Sequence, residues 1–155
     1  MGMWYEDFDE GQVFRTASRL VERELIAQFA ELTGDDNPIH TDSEFMRASA
    51  YGDVIAHGML VQSLAAGLIA DLGIMQGTTI ALAGVDSRFI RPVFPGDEIS
   101  VVMSIASKRQ SRKPDRGVVV RHAKVINQRA EVVAETQLIT VMKRRAPIRA
   151  DDRPK

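Results

Sequence analysis

The chain has 155 residues, of which 45% are hydrophobic and 26% are charged, and its formal net charge at pH 7 is −1. These values fit a single globular domain with its own core, and the near-neutral charge argues against a broadly basic nucleic-acid-binding surface. Because the chain has no cysteine, disulfides, thiolate metal ligands and cysteine nucleophiles are excluded.

The N-terminal segment, residues 1–10, is acidic and aromatic and lacks the apolar stretch of a signal peptide. The longest apolar run, residues 58–72, is shorter than the roughly 18 residues that a membrane span requires. We therefore expect a soluble cytoplasmic protein without membrane contacts. Residues 1–10 are expected to form a loosely held lead-in, whose aromatic side chains could dock on the body of the protein or on a partner subunit.

Two elements are predicted before the first polar loop. Residues 13–21 alternate imperfectly between apolar and polar side chains, which predicts a strand. Apolar residues then recur at helical spacing and predict a helix over residues 22–32. After the loop, Asp42 and Ser43 can cap a short helix over residues 44–48.

The loop between these helices, residues 34–40, carries two side chains with acid/base chemistry. Asp35 and His40 would be out of contact in an extended chain, in which each residue adds roughly 3.3 Å. A bend at Asn37-Pro38, a turn dipeptide, could bring both side chains to one water molecule. The same residue types are common in surface turns for backbone reasons alone, so a purely structural loop is the alternative.

A longer helix, predicted over about residues 54–72, is apolar almost all round, which is typical of a helix that is buried on most faces. Gly73 is its expected end. Several of its residues are small, which indicates that another element packs close against it: Ala65, Ala66, Gly67 and Ala70.

The second half of the chain is rich in Val, Ile and Thr and predicts consecutive strands. Short turns separate several of them, which favours an antiparallel sheet, and Arg88, Arg91 and Arg121 could point from one of its faces. A long helix followed by such strands predicts an α+β domain in which the sheet curls round the helix. The predicted strands are residues 78–85, 87–94, 99–107, 117–127 and 131–142.

Three motifs follow one another along the chain. They are Leu-Thr-Gly-Asp-Asp-Asn-Pro-Ile-His at residues 32–40, Ile-Ala-His-Gly-Met-Leu at residues 55–60 with Ser63 on the next turn, and Phe-Ile-Arg-Pro-Val-Phe-Pro-Gly-Asp at residues 89–97. In this order and spacing they resemble the MaoC-like, (R)-specific enoyl-CoA hydratase family.

The resemblance implies a single hot-dog fold, in which an antiparallel sheet wraps around a long central helix, over residues 11–143. Residues 1–10 then precede the domain, and residues 144–155 form a flexible basic tail. The resemblance also implies a homodimer or a dimer of dimers and an acyl-CoA substrate, with acyl carrier protein as an alternative carrier. No cofactor, nucleic acid or membrane is expected as a partner.

The implied activity is hydration of trans-2-enoyl-CoA and the reverse dehydration of (R)-3-hydroxyacyl-CoA. The resemblance assigns the acid/base tasks to Asp35 and His40. By the same analogy, the backbone N–H of Gly58 is a donor to the thioester oxygen, and Ser63 and Asn37 position the substrate or the catalytic loop.

Local alternatives stand beside these roles. Ser63 could bond a carbonyl one turn back in its helix, and Asn37 could hold the loop, which we favour. His57 is expected to fix the start of the long helix by a hydrogen bond. No metal site is expected, because the three histidines show no ligand spacing.

Two other functions stay open at this point. One is a hot-dog acyl-CoA thioesterase, which would need an acid in or just before the long helix. Asp71, at the far end of that helix, argues against it. The other is a non-catalytic acyl-binding subunit of a heteromeric dehydratase.

Overall fold

The computed structural model describes residues 2–145, and its largest element is one antiparallel sheet, as the sequence predicts. The strands are β1 (Val13–Arg15), β2 (Arg19–Leu20), β3 (Thr79–Phe89), β4 (Glu98–Gln110), β5 (Arg116–Asn127) and β6 (Val132–Lys143). They lie in the order β1-β4-β5-β6-β3, and β2 also pairs with β4. β3 therefore forms one edge of the sheet within the described chain.

Two strand predictions differ from the structure. The strand predicted over residues 13–21 is divided into β1 and β2, both of which pair with β4. The two strands predicted between residues 78 and 94 are one strand, β3, which ends at Phe89. The chain leaves the sheet after Phe89, since Pro92 and Pro95 lack the N–H that a strand ladder requires.

The helices all precede β3. The predicted helices over residues 22–32 and 44–48 agree with two of them to within one residue. The sequence predicts a loop at residues 38–41, whereas the structure has a single helical turn there. No helix in the described part of the chain is long and apolar enough to span a bilayer. The bounds are Tyr5–Asp7 for a 3-10 helix, then α1 (Arg23–Thr33), α2 (Pro38–Thr41), α3 (Ser43–Arg47) and α4 (Gly58–Asp71).

The long predicted helix is α4, and it starts at Gly58 rather than near residue 54. The extended residues before it are tied to the loop after β3, where Ala56 N–H donates to the Val93 carbonyl at 2.8 Å. Gly73 follows the helix with a φ of 69°. One face of α4 packs on the sheet and supplies the centre of the core: Leu60, Val61, Leu64, Ala65, Leu68 and Ile69.

A second face of α4 is exposed, which differs from the expectation of burial on most faces. Met59, Ser63, Ala66 and Ala70 recur at helical spacing along it. A Cβ at the neighbouring Gly67 would meet no atom within 4 Å. No element among residues 2–145 therefore covers this stripe, which we call the open face of α4.

The N-terminal segment packs on the sheet. Phe8 is fully buried, and the Tyr5 ring lies directly over Gly117, where a Cβ would overlap it. Lys108 Nζ lies 5.2 Å from the centroid of the Tyr5 ring. The aromatic side chains of the lead-in thus dock on the body of the protein, and this segment is held rather than loose.

The basic tail expected over residues 144–155 is described only at its first two residues. Arg144 and Arg145 form ion pairs with Glu6 and Asp7 at 3.0 and 2.7 Å. The remainder of that prediction lies outside the described residues.

The three arginines predicted to share a face of the sheet do not share one. Arg121 on β5 is buried beside Leu138, on the face that meets α4. Arg88 on β3 is exposed opposite Glu135 of β6, and Arg91 lies beyond the end of β3. Arg88 and Arg121 lie on different strands, and the register of each strand rather than residue spacing sets the face that each side chain occupies.

Candidate active site

The candidate site begins where α1 ends. Gly34 has a φ of 76°, a left-handed conformation that favours glycine, and its N–H donates to the Ala30 carbonyl. The next residue, Asp35, donates its N–H to Thr33 Oγ1 at 3.3 Å. These contacts turn the chain out of the helix and fix the direction in which Asp35 leaves it.

Asn37 and Pro38 build α2, the single helical turn that carries His40. Asn37 Oδ1 accepts from Ile39 N–H at 3.2 Å, and Pro38 occupies the first turn, where its missing N–H costs nothing. Thr41 Oγ1 donates to the Asn37 carbonyl at 3.2 Å. Asn37 thus holds the loop, the role we favour for it, while a contact between Asn37 and substrate stays a prediction.

Two hydrogen bonds join α2 to the segment before α4. Ile55 N–H donates to the Ile39 carbonyl at 3.0 Å, and His40 Nδ1–H donates to the Ile55 carbonyl at 2.7 Å. A ring nitrogen that faces a carbonyl carries a hydrogen, so the neutral His40 ring has its lone pair on Nε2. The half-buried His40 is thereby held in one orientation with Nε2 able to accept a proton.

His57 touches both acid/base candidates. Its buried ring stacks on His40, with centroids 3.7 Å apart and planes inclined by 25°. His57 Nε2–H donates to the Asp35 carbonyl at 2.9 Å. The sequence predicts a hydrogen bond from this histidine that fixes the helix start. The structure differs, because the His57 side chain makes no capping hydrogen bond to α4 and instead fixes the loop that carries Asp35.

The side chains of Asp35, His40 and His57 converge. Their possible ligand atoms all lie within 4.8 Å of one another, although no metal-binding spacing is visible in the sequence. Backbone carbonyls already engage one nitrogen of each imidazole. The exposed carboxylate and the oriented imidazole are therefore close enough to act on one small molecule between them.

A cavity of about 260 Å³ opens beside His40 at the start of α4. Gly58 lines it as the first residue of the helix, where backbone N–H groups have no intrahelical acceptor and the helix dipole is positive. Tyr51, Arg91 and Val133 contribute further walls. Asp35 lies next to His40 without lining the cavity itself.

Phe89 occupies the space beside Gly58. A Cβ at Gly58 would lie 2.8 Å from Cε2 of the Phe89 ring, and this ring is half-exposed and lines the same cavity. In the structure, the absence of a side chain at Gly58 leaves room for Phe89, a contact that spacing along the chain does not reveal.

The family model for the MaoC like domain matches residues 7–129, a range that includes Asp35, His40, His57 and Gly58. The chain belongs to the MaoC-like family.

Relatives in this family carry related activities. The chain is 33% identical to the (R)-specific enoyl-CoA hydratase of Aeromonas caviae over 107 residues, which cover 69% of this chain and 78% of that protein. The crystal structure of a MaoC-like dehydratase from Rhodospirillum rubrum superposes with a TM-score of 0.84 at 32% identity, covering 95% of this chain and all of that chain.

The fold of this MaoC-like chain is the hot-dog fold. A conserved hypothetical protein from Mycobacterium tuberculosis with a double hot-dog fold superposes with a TM-score of 0.80 at 21% identity. The match covers 99% of this chain and 47% of that protein. One long helix against an antiparallel sheet agrees with this assignment, so the predicted fold class is confirmed.

Ser63 of this MaoC-like domain points away from the cavity. It lies on the open face of α4, and its Oγ donates to the Met59 carbonyl at 2.8 Å. This is the local alternative that the sequence left open. Its role in positioning substrate stays a prediction.

An ion pair outside the cavity braces the site. Arg23 at the start of α1 donates to Asp53 at 2.6 Å and to Ser43 of α3 at 3.0 Å. The hydrogen bond from Arg23 lowers the pKa of Asp53 below its usual value. The pair links the start of α1, the helix that precedes Asp35, to the segment that leads to Gly58.

Proposed function

We propose that the chain catalyses the (R)-specific hydration of trans-2-enoyl-CoA and the reverse dehydration of (R)-3-hydroxyacyl-CoA. The observation that carries this proposal is the convergence of the Asp35 carboxylate and the oriented His40 imidazole beside a cavity at the start of α4. The similarity to an (R)-specific enoyl-CoA hydratase supports it.

The proposed reaction adds water across a conjugated double bond. The water oxygen bonds to the β carbon while the Asp35/His40 pair accepts one proton from that water, and the π bond of the alkene shifts to give an enolate. The pair then returns this proton to the α carbon, so both added groups come from one water and the pair is restored. The lone pair on His40 Nε2 and the carboxylate of Asp35 suit the acceptance of that proton.

Negative charge develops on the thioester oxygen as water attacks. We assign the backbone N–H of Gly58 as its donor, because the positive end of the α4 dipole lies there. The carrier is coenzyme A in this proposal, with acyl carrier protein as the alternative. The cytoplasmic location expected from the sequence stays a prediction.

We also propose that two copies form a homodimer through β3 and the open face of α4. β3 has an unpaired edge within the described chain and carries the exposed side chains of Ile80, Leu82, Val85 and Phe89. The open face of α4 consists of Met59, Ala66 and Ala70 with a single polar residue, Ser63. A second copy can pair its own β3 with this edge about a two-fold axis and cover both surfaces at once.

Substitution of the acid/base pair tests the proposed activity. Asp35→Asn and His40→Ala should each lower kcat for crotonyl-CoA hydration by at least about a hundredfold, the usual contribution of general acid–base catalysis. The matched control is Asp36→Asn, which changes the neighbouring exposed acid and should retain activity. Either catalytic variant with near wild-type hydration would refute the roles assigned here.

A thiol reagent separates this function from the thioesterase alternative. The hydratase leaves the thioester intact, so wild-type protein should release no free coenzyme A during hydration. Release of thiol at the rate of substrate loss would instead support the thioesterase. Acyl-CoA binding without turnover would support a non-catalytic subunit.

A further inference from the structure

A second cavity, of about 610 Å³, lies at the opposite end of α4 from His40. Ile69, Leu82 and Leu138 give it apolar walls, and two buried polar side chains of the sheet, Arg121 and Thr140, also line it. An apolar cavity of this size with a few convergent polar groups is typical of a site for a small organic ligand.

Arg121 is a buried cation without a counter-ion among residues 2–145. Its side chain is 5% exposed; Nη1 donates to Met103 Sδ at 3.6 Å and Nη2 donates to Thr140 Oγ1 at 2.5 Å. The buried Nε has no hydrogen-bond partner. Burial lowers the pKa of Arg121 to about 10, so the guanidinium stays protonated at neutral pH. An unpaired charge in such a place is costly unless an anion joins it.

We propose that the missing counter-ion is a carboxylate at the far end of the substrate's acyl chain. The apolar walls suit methylene groups, and the guanidinium fork suits a carboxylate. Thr140 accepts from Arg121 and can donate its own hydroxyl hydrogen to the same carboxylate. This inference rests on the proposed function and narrows its substrates to enoyl thioesters with an anionic end.

The path of β3 connects this cavity to the catalytic one. The strand runs from Thr79, which lines the Arg121 cavity, to Phe89, which lines the His40 cavity. In the proposed dimer, two antiparallel β3 strands place the Thr79 end of one copy beside the Phe89 end of the other. The Arg121 cavity of the second copy then continues the catalytic cavity of the first.

Asp71 lines the same cavity and carries the opposite charge. It is exposed at the end of α4, so water and salt screen its repulsion of an incoming carboxylate. Arg121 is buried, and its attraction is screened far less. The net field at the inner end of the cavity therefore favours an anion.

A pair of substrates of equal length tests the proposal. We expect wild-type protein to hydrate trans-2-hexenedioyl-CoA, which ends in a carboxylate, with a kcat/KM at least about tenfold above that of trans-2-hexenoyl-CoA, which ends in a methyl group, as a charge-assisted hydrogen bond allows. Arg121→Met should abolish this preference and keep hydration of the neutral substrate. The control, Arg112→Met, removes an exposed arginine from the turn before β5 and should keep the preference.

A mixed dimer tests the contribution of the second copy. With Asp35→Asn in one copy and Arg121→Met in the other, the one intact acid/base pair faces an intact Arg121 cavity, so the preference should persist. With both substitutions in the same copy, the preference should disappear. The reverse pattern would overturn the assignment of Arg121 to the second copy.

Other outcomes separate this inference from the function on which it rests. If wild-type protein hydrates both substrates equally, or if Arg121→Met keeps the preference, the proposal of an anionic substrate end is contradicted. The proposed hydratase function is then unaffected. If wild-type protein hydrates neither, the proposed function fails, and calorimetry with adipate decides the anion site by itself. Binding lost in Arg121→Met supports the site, and no binding overturns it. If Arg121→Met does not fold, Thr140→Val replaces it, with a smaller expected loss of substrate preference and of adipate binding.

Discussion

The absence of a side chain at Gly58 determines where the Phe89 ring lies in the site. Gly58 starts α4 beside His40, and the Phe89 ring fills the place that a Cβ would take. The ring is 50% exposed, so it can turn aside at moderate cost. The lack of a side chain at Gly58 therefore has two effects. It exposes the backbone N–H that we assign to the thioester oxygen, and it allows Phe89 to pack in the cavity wall.

Substitution at both positions separates these two effects. Gly58→Ala should destabilise the fold by about 1 kcal/mol, at the low end for overpacking because the ring can move. Phe89→Ala in the same chain should remove most of that penalty, which a double-mutant cycle of denaturant unfolding measures. If the two substitutions have additive effects on the free energy of unfolding, contact with the Phe89 ring is not the reason that Gly58→Ala destabilises the fold.

The N-terminal segment matters at the scale of elements. Phe8 is fully buried and packs in a cluster with Tyr5, Ile105, Val119 and Met142, which ties the first residues to β4, β5 and β6. None of these residues lines the His40 cavity. The segment therefore contributes to the stability of the sheet rather than to the chemistry.

Truncation of this aromatic anchor tests that role. Phe8→Ala should lower the free energy of unfolding by about 3 kcal/mol, because it removes a large buried side chain and leaves a cavity. Phe45→Ala is the matched control: Phe45 is 55% exposed on α3, so its loss should cost little. Urea unfolding at neutral pH measures both. Equal losses for the two variants would contradict the anchoring role of Phe8.

For the whole molecule, two surfaces have no partner among the described residues of a single copy. They are the open face of α4 and the edge of β3. Both contribute to the wall of the Arg121 cavity, and both expose apolar groups. The His40 cavity and the Arg121 cavity each share a wall with β3. Pairing of two copies along β3 would therefore complete the sites and the surface together.

A charge on the open face should separate the copies. Ala66→Arg places a long cation on α4 and is expected to shift the protein from dimer to monomer in light scattering after gel filtration. Ala106→Arg, on an exposed site of β4 away from β3, is the control and should remain dimeric. A dimeric Ala66→Arg variant would exclude this face as the interface.

Local patterns along the chain were enough to predict the elements that depend on residues a few positions apart. Helical spacing and capping located α1 and α3 to within one residue, and the richness in Val, Ile and Thr with short turns between the strands predicted the antiparallel sheet. The order of three motifs indicated the family and the fold. These signals succeed because hydrogen bonds in caps, turns and helices join residues only a few positions apart.

Contacts between residues that are far apart in the sequence were revealed only by the folded chain. His57 reaches the carbonyl of Asp35 across 22 positions, and Phe89 lies against Gly58. Arg121 is buried beside Leu138 on the face of the sheet that meets α4, and no residue count along the chain predicts that face. Such contacts follow from how elements pack and from strand register, which the local pattern of one chain does not encode.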